Sequence, residues 1–587
     1  MMPSSSPDWR DELPILCLWL LVSAALIWSG WTEITTLSGW DPDDQLRLVQ
    51  LRDFLSGQSW FDTTQYRMNP PDGAPMHWSR LIELPLALLV LLLRPLVGQP
   101  AAEMIAGTAV PLLLLGWIAY MLARIATRLS SREAGVAAAL ITFFTGALLI
   151  QLRPMRIDHH GWQLAMAVLA LSTVFWADVR KAGLILGLAL AVWLHISLEG
   201  APMTVAFFLL LGIRWVRNAR EGQRFFWTVI SFAVASSLLF LGTQAGGLSA
   251  PVWCDTISPP HVVAILLATL VMVPAIRFLP DDWRLRLVAA GIAGGAALGL
   301  LLFAAPQCAF GAFGDMDPLV REYWYLQINE GLPIWHQSWR TAVNLGAGLF
   351  FGALSWLVLR GSLKREDRRT LDTIGYFFFY GLLLSIFVVR TISVATAYAI
   401  PLTAVLIALL LKRYRRSKIA VQRVTLVAVM LLLLIPGAVV SSLVRFIPEE
   451  AESKTQIETL SDDNCQSALS VRKLSALPKG IFLAPFDMGP TILAQTPHKV
   501  LASSHHRNER AMHDHIQIFR SDPAVSHQLM QARAIGYLAV CPNEAELDFY
   551  VQKNPSGLWA QLSKGNTPSW LEALPDMGAG IKIWRVR

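Results

Sequence analysis

Residues 153–163 read RPMRIDHHGWQ. They lie between two apolar runs, EAGVAAALITFFTGALLIQL at 133–152 and LAMAVLALSTVFW at 164–176. Two arginines, an aspartate and two histidines in such a setting are either a polar turn joining two membrane spans or a site held at a membrane surface. Composition settles the setting. The chain has 587 residues, 54% of them hydrophobic and 16% charged, with a mean hydropathy of +0.46. A soluble chain of this length needs more charge to cover its surface. Apolar stretches near or above the ~18 residues that cross a bilayer recur along the first 445 positions. The fold class is therefore a polytopic α-helical membrane protein. The net charge of +7 is not a nucleic-acid signal, because the arginines and lysines cluster between apolar segments, where topology accounts for them. The first apolar run, LPILCLWLLVSAALIWSGW, is too long for the core of a signal peptide and lacks a basic leader, so it is expected to stay as a span.

Thirteen spans are expected, near 13–31, 104–123, 134–152, 162–178, 182–197, 202–217, 225–243, 262–280, 287–305, 342–359, 371–389, 394–411 and 420–445. With that count the basic clusters at 124–132, 180–181, 214–224, 284–286, 364–369 and 412–418 all fall on one side, which the positive-inside rule makes the cytoplasm. The stretch IELPLALLVLLLRPLVG at 82–98 must then not cross, and reads as a re-entrant or interfacial helix. The N-terminus is expected inside. Residues 32–103 form a long first external loop, RPMRIDHHG the second, and residues 306–340 the fifth.

The chemistry-bearing residues lie on that external side. GWDPDDQLRLVQLRDFL opens the first loop with Asp41, Asp43 and Asp44 and continues as an amphipathic helix expected to lie on the membrane. Asp41 or Asp44 is also a natural helix cap. Asp158 and His160 supply carboxylate and imidazole donors across a short turn, suited to a divalent cation such as Mg²⁺ or Mn²⁺. Glu330 stands among aromatics in the fifth loop, and Arg390 ends the eleventh span with no acid near it in sequence. A fixed guanidinium there suits a lipid phosphate, or simply snorkels to the interface.

Together these motifs resemble the catalytic subunit of the oligosaccharyltransferases, membrane enzymes of the GT-C glycosyltransferase class with thirteen spans and an external C-terminal domain. Asp41-Pro42 with Arg47 is similar to that family's first-loop motif, Asp158-His159-His160 to its second-loop acidic motif, and Ile328-Asn329-Glu330 to its fifth-loop motif. Arg390 is similar to its phosphate-binding arginine, and APFDMGP keeps Asp487 and Gly489 of a Trp-Trp-Asp-Tyr-Gly motif without the two tryptophans. The resemblance implies transfer of a sugar or oligosaccharide from a polyprenyl phosphate or pyrophosphate donor to a glycan, lipid or protein acceptor, by a metal-assisted, inverting single displacement at the external face of the inner (plasma) membrane. Asp41, Asp158 and Glu330 would be catalytic. His160 and Arg390 would bind the donor phosphate, and Asp41, Asp158 and His160 would hold the cation. The missing tryptophans leave open a transferase that moves one sugar from a polyprenyl monophosphate to lipid A or a polysaccharide. A lipid or glycan transporter is the alternative of another class; it calls for ionisable residues at mid-membrane, whereas here they sit mainly at span ends.

Residues 1–445 are thus the membrane domain, and residues 446–587 a small α/β extracytoplasmic domain. GIFLA, HKVLAS, IGYLAV and IKIWRVR read as its strands, with a helix at AVSHQLMQARA. KVLASSHHRNERAMHDHI gathers histidines whose spacing fits no closed zinc pattern, so His506 and Arg507, with Asp487 and Gly489, are assigned to the acceptor or to phosphate. Of five cysteines, Cys17 is expected to be a buried free thiol in the first span. The other four lie externally and are expected to pair as Cys254–Cys308 and Cys465–Cys541, each pair sharing neighbouring loops or one domain.

Overall fold

The computed structural model describes residues 9–362, 368–447, 465–542, 544–577 and 580–587. Two expectations fall partly outside them: Lys364 and Arg365 of the basic turn at 364–369, and the start of the C-terminal domain at 446–464. All thirteen expected spans are helical. Among the described residues, ten helices are long and apolar enough to cross a membrane singly. The stretch expected at 420–445 is two helices, Ala420–Leu434 and Pro436–Val444, bent by 93°. Pro436 has no N–H to continue the first helix, and its ring clashes with the preceding turn. Residues 83–97 form a helix of 15 residues, below the length of a span.

Two expected spans are corrected. Residues 134–152 and 162–178 are realised as Arg132–Phe144, 13 residues, and His160–Thr173, 14 residues. At 1.5 Å per residue each is about 20 Å long, well short of a hydrocarbon core of ~30 Å. Arg132–Phe144 stops where Thr145 turns extended. Both short helices start or end beside the basic turns: Glu133 pairs with Arg415 at 3.1 Å, and Arg224 donates to the carbonyls of Thr173 and Trp176. Segment 145–159 joins their other ends and includes the short helix Gly146–Leu149.

The two faces are distinct. Arg369 pairs with Glu221 at 2.6 Å, and Arg286 donates to the carbonyls of Trp215 and Val216, so the basic turns meet on one side. On the other, the polar loops meet the C-terminal domain: Arg67 donates to the carbonyls of Leu493 and Thr496, and Lys553 pairs with Glu322. That domain holds a five-stranded sheet in the order 499–500, 481–483, 537–540, 582–586, 571–573, parallel across the first three and antiparallel across the rest. The four expected strands are present, and Leu571–Ala573 adds a fifth. Both expected disulfides are formed, Cys254–Cys308 and Cys465–Cys541.

Two further expectations are corrected. Helix Pro42–Leu55 does not lie on the membrane: every residue from Asp44 to Leu51 is buried. Its apolar side chains point two ways. Leu46 and Val49 pack with Met488, Ile492 and Val500 of the C-terminal domain, while Leu48 and Leu51 pack with Leu86, Val90 and Met155. The helix is thus a wedge between the domains. Cys17 is free but exposed, on a helix whose Leu16, Leu20 and Leu21 are also exposed.

Candidate active site

Asp41 opens the wedge helix. Its Oδ1 accepts the backbone N–H of Asp43 at 2.9 Å, which satisfies a helix-start donor, and Pro42 fills the first helical position. Its Oδ2 lies 3.1 Å from Arg156 Nη1. Asp41 is therefore engaged on both oxygens. Asp44 accepts from the backbone N–H groups of Trp40, Ile157 and Asp158 and from Arg156. It pins the RPMRIDHH loop to the wedge. The same loop is held against helix Gln99–Leu129, where Met155, at φ 65°, donates to the carbonyl of Gly107 at 2.8 Å. Trp40 donates to Pro154 O and carries Arg153 stacked 3.4 Å over its ring.

Asp158 is 2% exposed, buried beneath this loop. Arg156 Nη2 lies 2.8 Å from its Oδ2, and the backbone N–H of His160 donates to its Oδ1. Burial pushes the Asp158 carboxyl up, but Arg156 and then His160 and His159 outweigh it and hold it down at about 2. His159 stacks on His160 with ring centroids 4.2 Å apart. Burial and the neighbouring His160 bring His159 down to about 3, so it is neutral. Asp158, His159 and His160 each offer a ligand atom within 4.8 Å of the others. Asp43 faces this group without a hydrogen bond to its carboxylate among the described residues. Burial and the fields of Asp41, Asp158 and Glu330 hold it well above the usual carboxylate range.

Arg390 closes the other side. It pairs with Glu199 and, at 3.0 Å, with Glu330 from the fifth loop. Glu199 also accepts from Gln163 at 3.0 Å. The Arg390 Nε atom is buried with no partner. The structure therefore brings Asp41, Asp158, His160, Glu330 and Arg390 together. Asp487, an exposed residue, joins them from the C-terminal domain: the protein around it, then Glu546 and Asp41, push its carboxyl up to about 7. Gly489 is buried, and a Cβ there would lie 2.8 Å from Ala502 O, so its visible task is close packing of its helix.

His506 and Arg507 lie apart, both bound to Asp255. His506 belongs to a second imidazole group with His77 and His505. The Trp78 ring stands between the two histidine groups, 6.3 Å from His159 and 5.2 Å from His505. Arg47 is buried against Glu83 at 3.3 Å and over Trp78 at 4.5 Å. A cavity of about 230 Å³ beside them is lined by Trp60, His77, Trp78, Arg80, Trp253 and Arg507 among others. A larger hollow of about 550 Å³ lies at the basic turns and holds none of the candidate residues.

Sequence reasoning passed over Asp43, Arg156 and Glu199 at this site. Asp43 and Arg156 lay inside the quoted motifs, but nothing in a linear pattern tells which acid caps a helix and which points away. Glu199 is a lone acid in the short gap between two spans, and that placement was the available signal.

No family model and no curated protein sequence matches this chain. Solved structures do. The archaeal oligosaccharyltransferase AglB from Archaeoglobus fulgidus, in complex with an inhibitory peptide and a dolichol-phosphate, superposes with a TM-score of 0.65 at 13% identity, covering 96% of this chain and 73% of that chain. The Archaeoglobus fulgidus oligosaccharyltransferase in the apo form gives 0.64 at 13%, over 90% and 69%. The same protein in complex with Zn and sulfate gives 0.55 at 13%, over 95% and 71%. The chain therefore has the GT-C membrane fold of those structures.

Proposed function

We propose that the protein is an inverting membrane glycosyltransferase. It takes a sugar or oligosaccharide from a polyprenyl phosphate or pyrophosphate and gives it to an acceptor at the face that bears the C-terminal domain, read as the outer face of the inner membrane. The observation that carries this is the meeting of Asp43, Asp158, His160, Glu330 and Arg390, from four separate segments, in one recess between the membrane helices and that domain. A recess among lipid-facing helices suits a donor whose prenyl tail stays in the bilayer.

Arg390 presents a guanidinium whose Nε is unpartnered, the group that would hold a phosphate oxygen. Glu330 pairs with a different nitrogen of Arg390, Nη2, so it would stand beside the bound phosphate, where its carboxylate would orient the acceptor or take its proton. Asp158, His160 and Asp43 are the donor set for a divalent cation. Three carboxylates, Asp41, Asp44 and Asp158, share the guanidinium of Arg156, and an ion would relieve that crowding and let Asp43 release its proton. Asp41 and Asp158 each meet a backbone N–H and Arg156, while the Asp43 carboxylate has no hydrogen bond among the described residues, so Asp43 joins the residues first assigned to the ion. A bound divalent cation would offset charge building on the leaving phosphate. The Zn-bound state of the archaeal structure, and its complex with a dolichol-phosphate, support this reading of donor and ion. The acceptor is left to experiment.

The test is mass analysis of surface glycans, glycolipids and glycoproteins in a strain carrying Asp158→Asn in place of the wild-type protein. A missing sugar or block, with its lipid-linked donor accumulating, is the expected result. An unchanged glycan profile at normal protein level overturns the proposal.

A further inference from the structure

We propose that His77, His505 and His506 form a second metal site, separate from the one above, that takes a transition-metal dication such as zinc and clamps the C-terminal domain to the membrane domain.

The three rings come from two places far apart in the chain. His77 follows the short strand Ala74–Pro75 of the first polar loop, and His505 and His506 stand at the turn before helix Glu509–Arg520. His77 Nδ1 lies 2.9 Å from His505 Nε2. One ring nitrogen from each of the three lies within 4.8 Å of the others. Zinc–imidazole bonds of ~2.0–2.1 Å place tetrahedral ligand nitrogens about 3.3 Å apart, so a small closure of the rings completes the set. His505 is 2% exposed, and its Nε2 is the nitrogen that faces His77.

The surroundings are those of a ligating histidine. His506 Nε2 lies 2.5 Å from Asp255 Oδ2. A carboxylate on one ring nitrogen fixes the tautomer and leaves the other as a lone pair, the usual support behind metal-bound imidazole. Asp255 is in turn held on both oxygens by Arg507, which stacks 4.2 Å over Trp253. The nearby positive charge is thus already spent on Asp255. Arg507, so engaged, makes a poor anion receptor, and imidazoles favour zinc over magnesium or calcium. Asp255 is next to Cys254, whose disulfide reaches Cys308 in the fifth loop. Metal binding here ties three loops and the C-terminal domain at one point.

The test uses the full-length protein in detergent, with Asp158→Asn and His160→Gln introduced so that the other candidate donors are removed. After equilibration with zinc and gel filtration, that protein is expected to retain a single equivalent of zinc, and adding His77→Ala and His506→Ala to abolish it. Chelation should lower its melting temperature, with zinc restoring it and magnesium not. Should the histidine variants fail to fold, cobalt(II) added to the Asp158→Asn/His160→Gln protein gives the answer through the visible bands of tetrahedral nitrogen ligation. No retained zinc and no cobalt bands overturn the proposal, as does zinc held equally after His77 and His506 are replaced. Loss of zinc only on changing Asp158 and His160 overturns it while leaving the glycosyltransferase reading intact.

Discussion

Asp41 and Asp43 share the first turn of one helix, yet their carboxylates meet different surroundings. Asp41 is bound by a backbone N–H and by Arg156, while Asp43 looks onto Asp158 and Glu330. Asn caps a helix about as well as Asp. Asp41→Asn is therefore expected to leave melting temperature nearly unchanged and to cost no more than about tenfold in sugar transfer, whereas Asp43→Asn should lower transfer by about 100-fold or more, the scale of losing one preorganised electrostatic contact. Equal losses in a transfer assay with purified protein would return the role to Asp41. Asp487 adds a pH dependence. Its carboxyl is pushed up to about 7 in the fold, against ~3.9 in an unfolded chain. Between those values the folded state holds a proton that the unfolded state has released, so stability falls as pH rises through that window. Asp487 is exposed, so solvent screens its shift, and Asp487→Asn is expected to flatten the fall between about pH 4 and 7 only slightly. A melting-temperature profile in which the variant keeps the full slope removes Asp487 as its source.

Gly183 and Gly187 lie one turn apart on helix Val179–Ile196, in the run GLILG. A Cβ at Gly187 would sit 2.5 Å from Thr228 O and 2.6 Å from Phe232 N, and one at Gly183 would sit 2.7 Å from Arg224 O. These are backbone atoms of helix Gly222–Thr243, so the two helices touch backbone to backbone through a small-residue pair. Gly187→Leu is expected to push them apart and to destabilise by about 1–3 kcal/mol or more, seen as a lower melting temperature in detergent. Gly242→Ala, where a Cβ meets nothing within 4 Å, is the matched control and should be close to neutral. Close helix contacts of this kind set the scaffold around the two short helices, Arg132–Phe144 and His160–Thr173, and the loop that joins them. The apolar runs around that loop were legible as membrane segments. Where each helix stops was not, because hydropathy counts apolar residues through Thr145 and into 150–152 regardless of backbone conformation.

Across the whole molecule, the side on which each loop lies was readable from charge, since six basic turns share one face and every polar motif the other. Asp158, His160 and Arg390 were found for that reason, each a polar residue at the end of an apolar run, and Glu330 as an acid among the aromatics of the fifth loop. The union of His77 with His505 and His506, and of Arg390 with Glu199, was hidden because it depends on contacts across hundreds of residues. The wedge helix was misread because its apolar residues serve two cores, one on each side. The two disulfides were readable from compartment and loop order, and they allow stability to be separated from function. They close 54 and 76 residues. Chain entropy gives each about 4 kcal/mol of stabilisation, with little between them because the dependence on loop length is logarithmic. Their positions differ more than their energies. Cys465–Cys541 joins residues that pack in one core with Phe482 and Ile583, inside the C-terminal domain. Cys254–Cys308 links two membrane-domain loops and holds Asp255, and with it Arg507 and His506, against that domain. Cys254→Ala/Cys308→Ala and Cys465→Ala/Cys541→Ala are therefore expected to lower melting temperature to a similar extent. Only the first should lower sugar transfer well beyond what its loss of folded protein explains, measured per folded molecule at a temperature where both variants remain native. Equal activity per folded molecule in the two variants would mean that the loop holding Asp255 stays in place without its disulfide.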